Sequence, residues 1–325
     1  LFQCVSVFGS AAISFSAFAD RTVNLIGKWN DLGLLLALLT LFMIIRLEFL
    51  KMHKIVRTVL AILLALALVL LGLIHFSVVW WLLLIASLAV AGAALVSRRI
   101  SAERWSWKAS PWSSLAVLLV SLLFLLYGTT LNADLSSAFP VSSLEVRPSY
   151  QTTLGILQAS HQGVRGVFLG TGPNTFLNEW LLHKPAEVNQ TMFWNLDFNI
   201  GFSTLLTALA TVGLVGAGAW LLPFLLCVYA VLMMLRENRS AHEKILFYSL
   251  TSGAVLLWIG AALYVPSQNI LLLAFVLSGA VLAQGISKTE ESAHRSRLAV
   301  IALAVLLLIL SLGVGIASGR RLTSE

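Results

Sequence analysis

Long apolar runs recur along this chain, each close to the length a helix needs to cross a bilayer, and few architectures can hold them. Backbone polar groups inside a hydrocarbon layer must be satisfied internally, which leaves helices and closed barrels. Most of the runs are about 16 to 21 residues rich in Leu, Ala, Val and Ile, too long for barrel strands. They read as membrane helices at Leu1–Phe18, Leu32–Leu47, Val59–Phe76, Val78–Val96, Ser114–Thr130, Ile200–Leu235, Ile245–Val265, Ile270–Ile286 and Leu298–Ala317. The composition agrees: 59% of the 325 residues are hydrophobic and 11% charged, against about 25% charged in soluble domains. The expectation is an all-α, polytopic transmembrane bundle of about nine spans with one long structured extracytoplasmic loop.

Ile200–Leu235 is too long for one upright span, and Gly213, Gly216 and Gly218 mark where it can bend or break. The chain opens at Leu1 rather than Met and stops shortly after an apolar run, which reads as a piece of a longer protein. Four parts follow: helices over 1–130, the outer loop over 131–199, helices over 200–319, and the start of a further outer segment over 320–325. Cys4 and Cys227 both lie in apolar runs, so no disulfide framework or metal-ligand spacing appears.

The net charge of +7 does not call for nucleic acid, because the basic residues cluster in short loops beside the spans. Arg46, Lys51, Lys54 and Arg57 form one group. Arg98, Arg99, Arg104 and Lys108 form a second, Arg236, Arg239 and Lys244 a third, and Lys288, Arg295 and Arg297 a fourth. All four fall on the same side under this span assignment, which the positive-inside rule makes cytoplasmic. Leu131 to Asn199 and the turn GKWND at Gly27–Asp31 are then outside.

The outer loop is the one long stretch that mixes Gly, Pro, Asn, Trp, His and charged residues. Val146, Tyr150, Leu154 and Leu157 recur at helical spacing after Pro148, which suits a first helical position. A Gly-rich turn, GVRGVFLGTGPN, follows. Asn174 can cap a second helix, presenting Phe176, Leu177, Trp180 and Leu181, which Pro185 ends. Two helices are expected, near Pro148–Gln158 and Asn174–Lys184.

The order of these parts resembles the O-antigen ligase and polymerase-like family of bacterial membrane proteins. The shared features are Arg147 opening RPSYQTTLGIL, then Gly170, Gly172, Asn174 and Phe176 in GTGPNTF, then Gly213–Gly216 in GLVG. Upstream, GKWNDLGLLLALL resembles the family's outer turn. The resemblance implies an integral protein of the bacterial cytoplasmic membrane. It would transfer a glycan from a polyprenyl-diphosphate carrier to an acceptor hydroxyl, without metal, nucleotide or other cofactor. Arginines would hold the diphosphate and a His would act as base. This chain has no His-Asn pair before GLVG; the matching place reads NLDFN, with Asp197 and Asn199. Either Asp197 serves as the base or the site is inactive.

The candidate catalytic residues are therefore Asp197 and Arg147. Candidate substrate-binding residues are Arg165, Gly170, Gly172, Asn174, Lys28, Asn30, Asn199 and His183. Each has an ordinary alternative. Arg147 and Arg165 can reach for lipid phosphates, GTGPNTF can be a plain turn, and Asp197 can partner Asn195 or Asn199 at a helix start. His183 suits a helix C-terminus. Lys28 and Asn30 can belong to an interfacial turn in which Asp31 caps the next span. Two other functions compete. A transporter would need acids or bases within the spans, and none stands out. A non-catalytic anchor or pseudoenzyme carrying an outer domain fits the missing His.

Overall fold

Among the described residues the long helices fall on apolar runs, because an apolar helix carries no unsatisfied backbone group into a low-dielectric surrounding. The computed structural model describes residues 24, 26–100, 111–138, 146–161, 163–191, 193–236 and 240–285. Among them there is no strand. The long helices are α1 (Trp29–Phe49), α2 (Lys54–Ile74), α3 (Ser77–Ile100), α4 (Trp112–Ala138), α8 (Thr204–Arg236), α9 (Ala241–Leu263) and α10 (Gln268–Gly285). Six of these described helices are long and apolar enough to cross a membrane; α10, at 18 residues, is apolar but shorter. The chain is thus an all-helical protein of the integral membrane type. The spans expected at Leu1–Phe18 and Leu298–Ala317 lie outside the described residues.

α1 is apolar around its whole circumference, and such a helix belongs in the middle of a bundle. It touches α2, α3, α4, α9 and α10, joining the N-terminal and C-terminal helices into one core. Leu34, Ala37, Leu41 and Ile44 on α1 are essentially buried. The approach of α9 is close because two glycines a heptad apart face α1. A Cβ at Gly253 would sit 2.8 Å from Leu38 and Phe42, and one at Gly260 2.8 Å from Leu34. Small residues at such contacts let helix backbones approach where lipid supplies no hydrophobic drive.

The helices run antiparallel, which gives the bundle a Lys28 end and an Arg46 end. At the Arg46 end, Glu48 on the last turn of α1 is 5% exposed and caps a neighbour. Its Oε1 accepts from Ser113 Oγ at 3.0 Å and from the Ser114 amide at 2.7 Å. A carboxylate there meets the positive end of the α4 dipole. The basic residues Arg46, Lys51, Lys54 and Arg57 sit at this same end.

Between α4 and α8 lie three short helices, α5 (Tyr150–Ser160), α6 (Gly163–Leu169) and α7 (Phe176–His183), then a 3-10 turn at Ala186–Gln190. Tyr150, not Pro148, is the first helical residue of α5, and Ser149 caps it: its Oγ accepts from the Thr152 amide at 3.1 Å. Thr175, not Asn174, is the cap position of α7, while Asn174 adopts φ 61° just before it. α6 falls inside what the sequence reads as a Gly-rich turn. Ile156, Leu157, Phe176, Trp180 and Phe198 form a second small core against Ala210 of α8.

Candidate functional site

The Lys28 end is where α1, α8, α9 and α10 meet, and Tyr264 is their junction. Pro266 disfavours helix for the residue before it, and α9 stops at Leu263. The Tyr264 carbonyl then accepts from both the amide and the hydroxyl of Thr204, each at 3.1 Å, which docks the start of α8 onto the end of α9. The Tyr264 ring is 0% exposed and meets Phe76 edge-on at 5.0 Å.

Two cations share that ring. Arg147 Cζ lies 5.5 Å and Lys28 Nζ 5.6 Å from its centroid. Arg147 is half-buried, stacks at 4.3 Å over Phe202, and donates from one guanidinium N–H to the Phe202 carbonyl at 2.9 Å. Lys28 is exposed and donates to the Val265 carbonyl at 3.1 Å. Each cation thus packs on a ring face and donates to a carbonyl.

Lys28 is placed by its own turn. Gly27 holds φ +147°, and a Cβ there would fall 2.8 Å from both the Asp31 carboxylate and the Ser267 hydroxyl. Asp31 is 0% exposed and accepts from the Lys28 amide at 2.8 Å and the Ser267 amide at 3.1 Å. It therefore serves both as the cap of α1 and as a tie to the α9–α10 turn. Ser267 Oγ and Asn269 Nδ2 donate to the Ile26 carbonyl from the other side. Asn30 is half-buried in the same turn.

The second group of sequence candidates does something different. Gly170 crosses α8 at Gly213, where the helix is broken by φ 65°, ψ −167°. The break leaves carbonyls of α8 without their usual amides. Thr171 N–H reaches the Ala210 carbonyl at 3.3 Å and Gly172 N–H the Thr211 carbonyl at 2.7 Å. The Gly170 amide itself bonds the Gly166 carbonyl at 2.9 Å. The Gly170, Thr171 and Gly172 amides of GTGPNTF are thus already engaged, and the turn seals the helix break.

The remaining candidates are apart from the Tyr264 cluster. Asp197 and Asn199 are exposed in the segment before α8. No hydrogen bond or ion pair among the described residues joins Asp197 to Arg147 or Lys28. Arg165 is exposed on α6. His183 lies 3.5 Å from Glu179, one turn back on α7. His161 is tied to the Leu209 carbonyl at 2.9 Å. Among the described residues no group of His, Cys, Asp and Glu is placed to hold a metal.

So the structure brings Arg147 together with Lys28 of the Gly27–Asp31 turn, two features far apart in the chain. Sequence reasoning missed Tyr264, Phe202 and Thr204. The available signal for Tyr264 was an aromatic immediately before V-P at the end of an apolar run, a place where a span must stop and expose a carbonyl. No protein-family model, curated protein or solved structure matches the chain.

Proposed function

We propose that the protein binds a polyprenyl-diphosphate-linked glycan at the Lys28 end of the bundle, facing outside, and transfers the glycan to an acceptor hydroxyl. The observation that carries the proposal is the pair of cations, Arg147 and Lys28, on the Tyr264 ring. Two positive charges side by side on one ring suit a leaving group that carries about two negative charges. The residues line up with the motif order that resembles the ligase family, in which an Arg opening the outer helix holds the diphosphate.

In the reaction, Asp197 takes the proton of the acceptor hydroxyl. The oxygen attacks the anomeric carbon, and that carbon's bond to the diphosphate oxygen breaks. The leaving diphosphate keeps the electron pair, and Arg147 and Lys28 stabilise the charge that develops on it. Donor binding brings the glycan toward the segment that carries Asp197. Gly170 and Gly172 enter as scaffold, since the Gly172 amide is engaged with Thr211 of α8 and the Gly170 amide with Gly166 of α6.

One observation favours a second reading, a non-catalytic membrane protein that binds the same lipid-linked phosphate. Asp197 is exposed and makes no contact with Arg147 among the described residues. Transfer in reconstituted vesicles separates the two. Asp197→Asn is expected to abolish glycan transfer while donor binding persists. If Asp197→Asn and Asp197→Ala both transfer at the wild-type rate, Asp197 is not the base; if wild-type protein binds donor and transfers nothing, the second reading stands.

A further inference from the structure

Away from the Tyr264 cluster, α1 and α2 line an open cleft of about 550 Å³ that runs from Leu36 and Leu70 to Arg46 and Val56. Its walls are apolar, from Leu36, Leu39 and Met43 on one side and Leu60, Leu63 and Leu70 on the other. Its one charged wall residue is Arg46. We propose that this cleft holds one anionic phospholipid, with an acyl chain between α1 and α2 and the headgroup phosphate at Arg46. The site is independent of the glycan reading, which concerns the other end of the bundle.

The charge balance selects the occupant. Between Arg46 and Arg57 the chain carries Arg46, Lys51, Lys54 and Arg57 against a single acid, Glu48. Glu48 is turned away: it is 5% exposed and its Oε1 is engaged by Ser113 and Ser114 of the α4 start. Arg46, Lys51, Lys54 and Arg57 are all exposed and Arg46 lines the cleft, so the α1–α2 connection beside it carries an excess of positive charge. The apolar wall and this charge together match an amphiphile with a negative head. A zwitterionic lipid offers the same phosphate but brings a cationic group that the nearby basic residues repel, and a free phosphate leaves the apolar wall unfilled. Basic residues at an anionic membrane surface each contribute about fivefold in partitioning.

The test uses the full chain in detergent micelles containing equimolar phosphatidylglycerol and phosphatidylcholine, read by native mass spectrometry. Phosphatidylglycerol is expected to be retained about tenfold over phosphatidylcholine. Arg46→Ala together with Lys54→Ala is expected to erase that preference. Leu63→Trp, which fills the cleft and leaves the charges, is expected to reduce retention, and glycerol phosphate is expected not to compete. Leu39→Trp narrows the cleft from the α1 wall and replaces Leu63→Trp if that variant does not fold. Equal retention of the two lipids overturns the proposal. So does undiminished phosphatidylglycerol retention in the filled variant, which would mean a diffuse charge effect. Retention of neither lipid overturns it as well.

Discussion

Gly170 and Gly213 cross backbone to backbone. A Cβ on Gly170 would lie 2.5 Å from the Thr211 carbonyl and 2.6 Å from the Gly213 nitrogen, and one on Gly213 2.5 Å from the Phe168 carbonyl and 2.6 Å from the Gly170 nitrogen. Both residues hold φ +65°. The contact lets the turn after α6 insert its amides into the break of α8, so the break has no orphaned carbonyls at Ala210 and Thr211. It also fixes α5–α7 over the start of α8, and the residues just before α8 carry Phe202, against which Arg147 is held.

Gly170→Ala and Gly213→Ala are therefore each expected to destabilise the fold. The left-handed backbone costs an L-residue about 1–2 kcal/mol, and the backbone overlap adds about 1–3 kcal/mol. The apparent melting midpoint in detergent should fall by several degrees for either variant. Gly155→Ala on α5 is the control, since nothing lies within 4 Å of its Cβ position. Its midpoint should stay level or rise slightly, as Ala is the better helix former. Equal midpoints for all three variants would show that the crossing does not hold the segment in place.

A separate prediction concerns Asp31. Its carboxylate takes the amides of Lys28 and Ser267 in a fully buried setting. Asp31→Ala leaves both donors without an acceptor and should cost about 3 kcal/mol. Asp31→Asn keeps one carbonyl acceptor and should cost less. Unfolding in detergent ranks the three proteins; an Asp31→Ala variant as stable as wild type would mean that water replaces the carboxylate.

How legible these features were follows from their physical origin. The long helices could be read because hydrophobic run length is a one-dimensional signal. Pairings such as Leu34 with Gly260, or Arg147 with Tyr264, are not one-dimensional. Arg147 stands 117 positions before Tyr264, and nothing local to either residue specifies the other. The break at Gly213 was visible as a cluster of three glycines. That the break is filled by Thr171 and Gly172 was not, since GTGPNTF reads the same whether its amides face a phosphate or a protein carbonyl. Asp31 as a cap was readable because capping is local; its tie to Ser267 was not.

The orientation proposed for the bundle can be checked with single cysteines in a background lacking Cys4 and Cys227. Glu187→Cys probes the exposed 3-10 turn between α7 and α8, and Lys51→Cys probes the exposed α1–α2 connection. An impermeant thiol reagent applied to intact cells should label the first and spare the second. The basis is the cluster of Arg46, Lys51, Lys54 and Arg57, which the positive-inside rule assigns to the cytoplasm. Labelling of the second site alone would invert the bundle and put the Tyr264 cluster on the wrong face for an exported glycan.

The cation pair gives the last prediction. Arg147 is positioned by the Phe202 ring at 4.3 Å and by the Phe202 carbonyl, and the Tyr264 ring faces both Arg147 and Lys28. Arg147→Lys keeps the charge and loses the planar fork, so donor binding should weaken about tenfold or more. Phe202→Leu keeps the guanidinium and the backbone carbonyl and removes the ring. A cation–π contact at a part-exposed site is worth about 0.5–1 kcal/mol, so the loss should be only a few-fold. Lys28→Ala should also weaken binding, by a factor that rises as ionic strength falls, because Lys28 is exposed and its charge is screened. Binding of a short polyprenyl diphosphate to protein in nanodiscs measures all three. If Arg147→Lys and Lys28→Ala bind as wild type does, the cations serve only to pack the helix ends around Tyr264, and the diphosphate must be sought elsewhere on the molecule.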